Sequence, residues 1–219
     1  MSDQQMQFNT IEEAVDSFRN GEFVVVLDSQ DRENEGDLII AADSLTDAKM
    51  AFVVHYTSGL ICAPILSDLA DRLNLPPMVA ENADPNRTAY TISIDADSPS
   101  VSTGISAHDR SFTCRALAQP DVCANDFRRP GHIIPLRARD GGVRERSGHT
   151  EAAVDLCRLA GRAPVGVIAE LVPEGTEIEG VAERHEDGMM RRNGCLAFAK
   201  KWNLKVITIE DMVEYLTKQ

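Results

Sequence analysis

The chain has 219 residues, of which 43% are hydrophobic, and this composition is sufficient for a substantial core. Its formal net charge of −13 argues against general nucleic-acid binding and against docking on anionic lipid, because both require a basic surface. The five cysteines are odd in number and form no CxxC pair, so the sequence predicts neither a disulfide framework nor a structural zinc site.

The chain carries no recognisable targeting or membrane segment. The first ten residues are polar and lack the apolar core of a signal peptide, and the longest apolar runs are far shorter than a membrane span. We therefore expect a cytoplasmic protein. No linker-like stretch divides the sequence, which favours a single domain over residues 1–219.

The N-terminal half alternates between helical and strand patterns. Thr10 and Glu13 form a capping-box pattern that predicts a helix ending near Gly21. The run 23–27 is continuously apolar, which is typical of a strand buried on both faces. Further predicted elements are a strand at 38–42, a helix at 46–58, a strand at 60–65, a short helix at 67–73, an ordered loop at 76–87, and a half-buried strand at 90–95 with Tyr90, Ile92 and Ile94 on one face.

The C-terminal half continues the alternation. Its predicted elements are a helix at 106–118, a basic loop at 125–131, a strand at 132–136, a mobile loop at 137–148, an amphipathic helix at 150–160, a buried strand at 165–172, a helix at 186–202, a strand at 205–208 and a helix at 209–216. This order predicts an α/β (α+β) fold class, with a mixed β-sheet covered by helices.

An acidic turn, residues 31–37 with the sequence DRENEGD, follows the first predicted strand. Its four carboxylates repel one another unless water or a divalent cation neutralises them, and hard cations prefer oxygen ligands. Open α/β sheets bind ligands at the carboxyl ends of their strands, and Gly36 allows a tight backbone turn. A solvated surface loop is the alternative interpretation. Asp28, just before the turn, is either a helper base or a turn-former.

A second motif, RSGHTE at residues 146–151, precedes the amphipathic helix at 150–160. A helix start offers free N–H groups and a positive dipole end, so this motif is typical of a phosphate site. His149 could be a ligand there or an ordinary hydrogen-bonded histidine.

Three further residues have both functional and structural interpretations. Glu170 ends the predicted strand at 165–172, where a carboxylate needs a metal ion or a salt bridge. His132 begins a strand after a basic loop, which alone is a weak indication of function. Cys62 is typical of a small core residue.

Several motifs together resemble one enzyme family. They are DRENEGD at 31–37, TGIS at 103–106 followed by Asp109 and Arg110, RPGH at 129–132, and GHTEA at 148–152. In this order and spacing they resemble the 3,4-dihydroxy-2-butanone 4-phosphate synthases of riboflavin biosynthesis, over about residues 8–216. The chain lacks the cysteine zinc motif of the GTP cyclohydrolase II domain found in fused relatives, and so resembles the monofunctional form.

The resemblance implies a formate-releasing lyase. Its substrate would be D-ribulose 5-phosphate, and its products formate and L-3,4-dihydroxy-2-butanone 4-phosphate, formed through a metal-stabilised enediol, dehydration and skeletal rearrangement. Two magnesium ions would be held by Glu33 and His149, with Glu33 bridging them. Manganese would also be accepted, since a histidine ligand suits it.

The resemblance also implies roles for individual residues. Catalytic roles fall to His132, Glu170, Glu35 and Asp28. Substrate-binding roles fall to Arg32, Glu33, Asp37, Cys62, Thr103, Arg146, Ser147, Gly148, His149 and Thr150. Arg146 and the start of the helix would hold phosphate, and the acidic turn would act as a lid that excludes water. The family is homodimeric with sites at the subunit interface, so His132 would serve the pocket of the partner.

Two alternatives from other functional classes remain at this stage. Another metal-dependent sugar-phosphate enzyme, such as an aldolase or isomerase, would share the acidic and phosphate sites but release no formate. A non-catalytic protein that binds sugar phosphate or divalent cations would need neither His132 nor Glu170.

Overall fold

The computed structural model describes residues 8–185 and 188–218. The helices are α1 (Ile11–Arg19), α2 (Asp47–Tyr56), α3 (Ser67–Arg72), α4 (Ala107–Leu117), α5 (His149–Leu159), α6 (Arg192–Trp202) and α7 (Ile209–Thr217). The strands are β1 (Val24–Leu27), β2 (Gly36–Ala41), β3 (Cys62–Ile65), β4 (Ile94–Ala96), β5 (Phe127–Arg137), β6 (Gly166–Glu170), β7 (Thr176–Glu177), β8 (Arg184–His185) and β9 (Lys205–Thr208). Short 3-10 helices cover Ala42–Ser44, Ala124–Asp126 and Gly142–Arg144.

Seven of the strands form one mixed sheet in the order β4-β5-β3-β6-β2-β1-β9. The β1–β9 and β3–β5 pairs are parallel, whereas β1–β2, β2–β6, β3–β6 and β4–β5 are antiparallel. The predicted mixed sheet covered by helices is thereby confirmed. Strands β7 and β8 form a separate antiparallel pair that the sequence analysis did not predict.

Helices cover both faces of the sheet. Val25 and Leu27 pack into a core that includes α2, α3, α4 and α6, and Val24 and Val26 pack into a second core that includes α1, α5 and α7. Every residue of β1 is therefore buried, which explains why its sequence is continuously apolar instead of alternating.

Several helices begin at side-chain caps. Thr10 and Glu13 form the predicted capping box of α1, and Ser106 caps α4 by accepting a hydrogen bond from the backbone N–H of Asp109. Helix α5 begins differently, because Gly148 at its N-cap position has no side chain to occupy the free N–H groups. The start of α5 is thus open to an external acceptor.

The structure corrects several predicted boundaries. The predicted basic loop at 125–131 belongs mostly to β5, which runs from Phe127 because β4 pairs with it there. The predicted strand at 90–95 is reduced to Ile94–Ala96, and Tyr90 and Thr91 make only isolated bridges, to Leu136 and Pro77.

Two loop and helix predictions also need correction. The predicted mobile loop at 137–148 contains the Gly142–Arg144 helix, since the Asp155 carboxylate accepts a hydrogen bond from Val143 N–H at 2.8 Å. The predicted helix at 186–202 begins only at Arg192, and its residues 186–187 lie outside the described residues. Among the residues that the structure describes, no helix has the length and apolar character to cross a bilayer.

Candidate active site

The acidic turn joins β1 to β2 at the end of the sheet where β1 ends. The antiparallel pairing ends at Leu27 and Gly36, and Glu170 at the end of β6 lies opposite Asp37 on β2. The turn and Glu170 therefore meet at the edge where β1 and β6 end, in agreement with the expected location of a ligand site. Gly36 is required there because a Cβ atom would clash with the Cys195 sulfur, and not because of an unusual turn geometry.

Asp28 organises the backbone of the acidic turn. Its carboxylate accepts hydrogen bonds from the N–H groups of Glu33 and Glu35 at 3.0 and 2.9 Å, and from Arg32 Nη1 at 3.0 Å. Both of its oxygens are thus already engaged. Of the two roles considered from the sequence, this geometry favours the turn-former over the helper base.

Glu33, Asp37 and His149 form an ionisable cluster in which Asp37 and His149 are buried and Glu33 is partly exposed. His149 Nδ1 lies 3.8 Å from Glu33 Oε2 and 3.6 Å from Asp37 Oδ1, while Nε2 contacts the carbonyl oxygen of Val26 at 3.1 Å. When the ring is neutral, donation from Nε2 to this carbonyl leaves the Nδ1 lone pair facing the two carboxylates. A backbone carbonyl that orients a histidine in this way is typical of metal sites.

The protonation of the cluster reflects its burial. Proximity to His149 lowers the pKa of Glu33 to about 2, despite the opposing effect of burial. Burial raises the pKa of Asp37 to about 7. Burial alone would lower the pKa of His149, but the Asp37 and Glu33 carboxylates outweigh it and raise this pKa to about 9. A protonated His149 therefore supplies the positive charge that balances the carboxylates.

The same cluster fits a divalent cation. Asp37 Oδ1 is buried and has no hydrogen-bond partner among the described residues. Glu33, His149 and Asp28 offer ligand atoms within 4.8 Å of one another. A cation could therefore replace the His149 proton and satisfy the orphaned oxygen.

Two arginines converge at the open start of α5. A side chain at Gly148 would clash with Arg146 Nη1 and approach Arg32 Nη2 at 3.1 Å, so glycine permits both guanidinium groups to lie beside the free N–H groups. The Thr150 residue is buried in the first turn of α5 and lines the same pocket. This combination of two cations and a helix start can bind a phosphate.

Arg146 also makes hydrogen bonds to other residues of the protein. Its Nη1 donates to the buried Glu151 carboxylate at 2.7 Å, and its Nη2 donates to Asn86 O at 3.1 Å and to Thr88 Oγ1 at 3.2 Å. Asn86 in turn donates to Glu33 Oε1 at 2.7 Å. The loop at 76–87 is thus ordered against both halves of the site.

Glu35 and Glu170 provide two neighbouring carboxylates. Burial and the charge of Glu170 raise the pKa of Glu35 above its ordinary value. Glu170 Oε2 accepts a hydrogen bond from Ser58 Oγ at 2.9 Å. Among the described residues, Glu170 forms no salt bridge with an arginine, which was the structural alternative to a functional role.

One pocket is lined by most of the residues that the sequence predicted for the site. Cys62 forms part of its wall, and burial raises the pKa of this thiol far above its ordinary value, so Cys62 is not an activated nucleophile. The lining residues are Arg32, Glu33, Asp37, Leu60, Cys62, Thr88, Tyr90, Leu136, Arg146, His149, Thr150, Ile168, Ala169 and Glu170.

Six predicted residues do not line this pocket. Asp28 and Glu35 adjoin it in the acidic turn and Gly148 adjoins it at the start of α5, whereas Ser147, His132 and Thr103 are directed elsewhere or lie farther away. The Ser147 hydroxyl donates to Val143 O at 3.2 Å and so is directed away from the predicted phosphate. His132 pairs with Asp95, with 2.8 Å between Nδ1 and Oδ2, and Thr103 precedes Gly104, which packs against that pair. Strands β3 and β6 separate His132 on β5 from Asp37 on β2, a distance of about 14 Å at the usual strand spacing.

The sequence analysis missed Ser58, Asn86, Thr88, Tyr90 and Asp95. Four of them hydrogen-bond to a predicted residue, and Tyr90 lines the pocket. None belongs to a motif with recognisable ligand spacing. Only Asn86 lies in the loop at 76–87, which the sequence predicted as ordered but to which it assigned no binding role.

The chain is closely similar to known proteins over almost its whole length. The family model described as 3,4-dihydroxy-2-butanone 4-phosphate synthase matches residues 12–215. The 3,4-dihydroxy-2-butanone 4-phosphate synthase of Pyricularia oryzae is 58% identical over 96% of this chain and 91% of its own length. The Schizosaccharomyces pombe enzyme of the same name is 54% identical over 94% of this chain and 97% of its own.

Solved structures show the same likeness. A crystal structure of a 3,4-dihydroxy-2-butanone 4-phosphate synthase in complex with two magnesium ions superimposes with a TM-score of 0.95. It is 58% identical in sequence, and the match covers 97% of this chain and 98% of that one.

Proposed function

The chain belongs to the 3,4-dihydroxy-2-butanone 4-phosphate synthase family, and from this premise we propose that it converts D-ribulose 5-phosphate to formate and L-3,4-dihydroxy-2-butanone 4-phosphate in riboflavin biosynthesis. The observation that carries this proposal is the pocket itself. It sets the Glu33–Asp37–His149 cluster beside the two arginines at the start of α5, so that one sugar phosphate can reach both.

The phosphate end of the substrate binds at α5. Its oxygens accept hydrogen bonds from the free N–H groups after Gly148 and from the Thr150 hydroxyl, and Arg146 and Arg32 supply the positive charge. Because Gly148 has no side chain, the space beside the helix start is left to the Arg146 and Arg32 guanidinium groups, which would contact a phosphate there. This places the carbon chain of the sugar toward the carboxylates of β2 and β6.

The cofactor is two magnesium ions, with manganese also accepted. Glu33 and His149 would hold them, because Glu33 Oε2 and His149 Nδ1 lie only 3.8 Å apart, and the family resemblance implies that Glu33 would be shared between the two ions. Bound divalent cations supply Lewis-acid stabilisation of the negative charge that develops on the sugar oxygens. Asp37 and Arg32 hold substrate hydroxyls, and Asp28 acts by keeping the acidic turn in shape.

Proton transfer requires several acids and bases near the same carbons. Glu35 and Glu170 are close enough for the Glu170 charge to raise the pKa of Glu35, so Glu35 can keep a proton to donate while Glu170 is the second carboxylate of the site. Cys62, Leu60 and Ile168 form an apolar wall, and closure of the acidic turn excludes the water that would otherwise intercept a reactive enediol.

His132 serves the second pocket of a homodimer. Its ring is fixed by Asp95, is partly exposed, and lies about 14 Å from Asp37 in its own chain. Thr103 lies next to Gly104, which contacts the His132–Asp95 pair, so both residues can reach a partner's pocket together. We place the protein in the cytoplasm, where its five free cysteines stay reduced.

The direct test is formate release from ribulose 5-phosphate with magnesium, before and after treatment with EDTA. We expect stoichiometric formate that disappears with EDTA and returns with added Mg²⁺ or Mn²⁺. Substrate consumption without formate would instead favour an aldolase or isomerase, and binding without turnover would favour a non-catalytic protein.

A further inference from the structure

The acidic turn is held from two sides, by Asp28 and by Arg191. Asp28 takes the backbone N–H groups of Glu33 and Glu35 on the inner side. On the outer side, Arg191 Nη1 donates to the carbonyl oxygens of Glu33 and Asn34, both at 2.7 Å. Arg191 Nη1 also lies 3.7 Å from Glu35 Oε1.

We propose that Arg191 is a positioning residue that sets the acidic turn for metal binding. By fixing the carbonyl groups of residues 33 and 34, it holds the peptide that carries the Glu33 side chain, so that this carboxylate faces His149 before a cation arrives. Arg191 itself does not line the pocket and touches no predicted ligand atom of Glu33. This inference deepens the proposed function, on which it rests.

The conformation of the turn explains why an external clamp is useful. Asn34 has a φ of 55°, in the left-handed region that non-glycine residues seldom adopt. Two hydrogen bonds from a cation to the carbonyls of residues 33 and 34 offset part of this cost.

The base of Arg191 is rigid enough for this role. Its neighbour Met190 is buried and donates a backbone hydrogen bond to Leu171 O at 2.9 Å. The Arg191 carbonyl accepts from Cys195 N at 2.9 Å, and the Cys195 sulfur packs against Gly36 at the other end of the turn. The start of α6 therefore contacts the acidic turn at two points.

The adjacent arginine provides a matched control. Arg192 directs its guanidinium over the ring of Phe8, with 4.5 Å between Cζ and the ring centroid, and among the described residues it makes no hydrogen bond or ion pair with the turn. Arg191→Ala and Arg192→Ala therefore remove the same charge from successive positions of one helix start. Arg191→Lys keeps a donor that can serve both carbonyls, because a single nitrogen makes both bonds.

The test uses metal-free protein and does not require turnover. Mn²⁺ is titrated into each variant and free Mn²⁺ is followed by electron paramagnetic resonance, while amide exchange is measured at residues 33–36. We expect Arg191→Ala to weaken Mn²⁺ binding about tenfold, the scale for charge-assisted bonds from a half-exposed guanidinium, and to speed exchange at Glu33 and Glu35. Arg191→Lys should recover most of the loss.

The outcomes separate this inference from the proposed function. Unchanged Mn²⁺ affinity and exchange in Arg191→Ala, or an equal loss in Arg192→Ala, would overturn it. Urea unfolding identifies any general loss of stability, and Arg191→Gln repeats the test if the alanine variant does not fold. Since no step uses ribulose 5-phosphate, a failed formate assay would leave the role of Arg191 testable.

Discussion

Replacing Arg146 by alanine should reduce both substrate binding and stability, because this guanidinium belongs to two sets of contacts. It is one of two cations at the start of α5, and it also pairs with Glu151, whose carboxylate is only 1% exposed. In Arg146→Ala, the Glu151 carboxylate stays buried without its counter-ion. The predicted phosphate loses one charged donor in the same change.

The two effects have separate magnitudes. Loss of a charge-assisted contact to phosphate should weaken substrate binding by about 1.5–3 kcal/mol. Leaving a buried carboxylate unpaired costs about 3–5 kcal/mol in general. Here Glu151 Oε1 still accepts a hydrogen bond from Arg139 N at 2.9 Å, so we expect a loss of about 2–4 kcal/mol in the free energy of unfolding.

A second substitution separates the two roles. In Arg146→Ala with Glu151→Gln, the buried charge is gone, so urea unfolding should show that most of the lost stability returns. The KM for ribulose 5-phosphate should stay raised in both variants, and binding of a sugar without phosphate should change less. If the double variant also restores KM, or if both substrates weaken equally, Arg146 is structural only and the assignment of the phosphate site is wrong.

The other predictions concern the metal cluster and the dimer. Glu33→Ala should abolish magnesium-dependent formate release and also lower the urea midpoint, because the Glu33 carboxylate accepts hydrogen bonds from Arg32 and Asn86. Asp31→Ala, at an exposed position in the same turn, should change neither quantity much, and normal turnover in Glu33→Ala would exclude Glu33 from the metal site. The raised pKa values, about 7 for Asp37 and about 9 for His149, mean that the folded metal-free protein binds more protons than the unfolded chain. Its stability should therefore fall as the pH rises from about 5 to about 9. The affinity for magnesium, measured by calorimetry, should rise over the same range. A flat affinity profile would contradict proton displacement from His149. His132→Asn and Glu170→Gln should each lower formate release by at least about two orders of magnitude. If His132 acts in the partner's pocket, subunit exchange between the two inactive variants should restore about one quarter of the sites, because half of the dimers are then mixed and each mixed dimer has one site with both native residues. Failure of the mixture to regain activity would keep His132 within its own subunit or outside the reaction.

The sequence by itself determined the local elements and the chemical character of the site. The capping box at Thr10, the continuous apolar run of β1 and the 3.6-residue period of α5 depend on neighbours within a few residues, so their patterns predicted the elements to within one or two positions. The acidic turn and the Gly148–His149 start of α5 were likewise recognisable as an acidic site and an anion site. Resemblance to a family then supplied the reaction, which no local pattern contains.

Only the tertiary structure decided which of these residues meet. Asn86, Thr88 and Tyr90 reach the pocket because a loop without regular structure packs between the acidic turn and α5, and nothing in their own sequence specifies that packing. The same holds for β5, whose first residues look like a loop but pair with β4 across 30 residues of chain or more. The separation of His132 from Asp37 follows from strand order alone, since long-range pairing depends on the total packing of the sheet and not on the residues near either side chain.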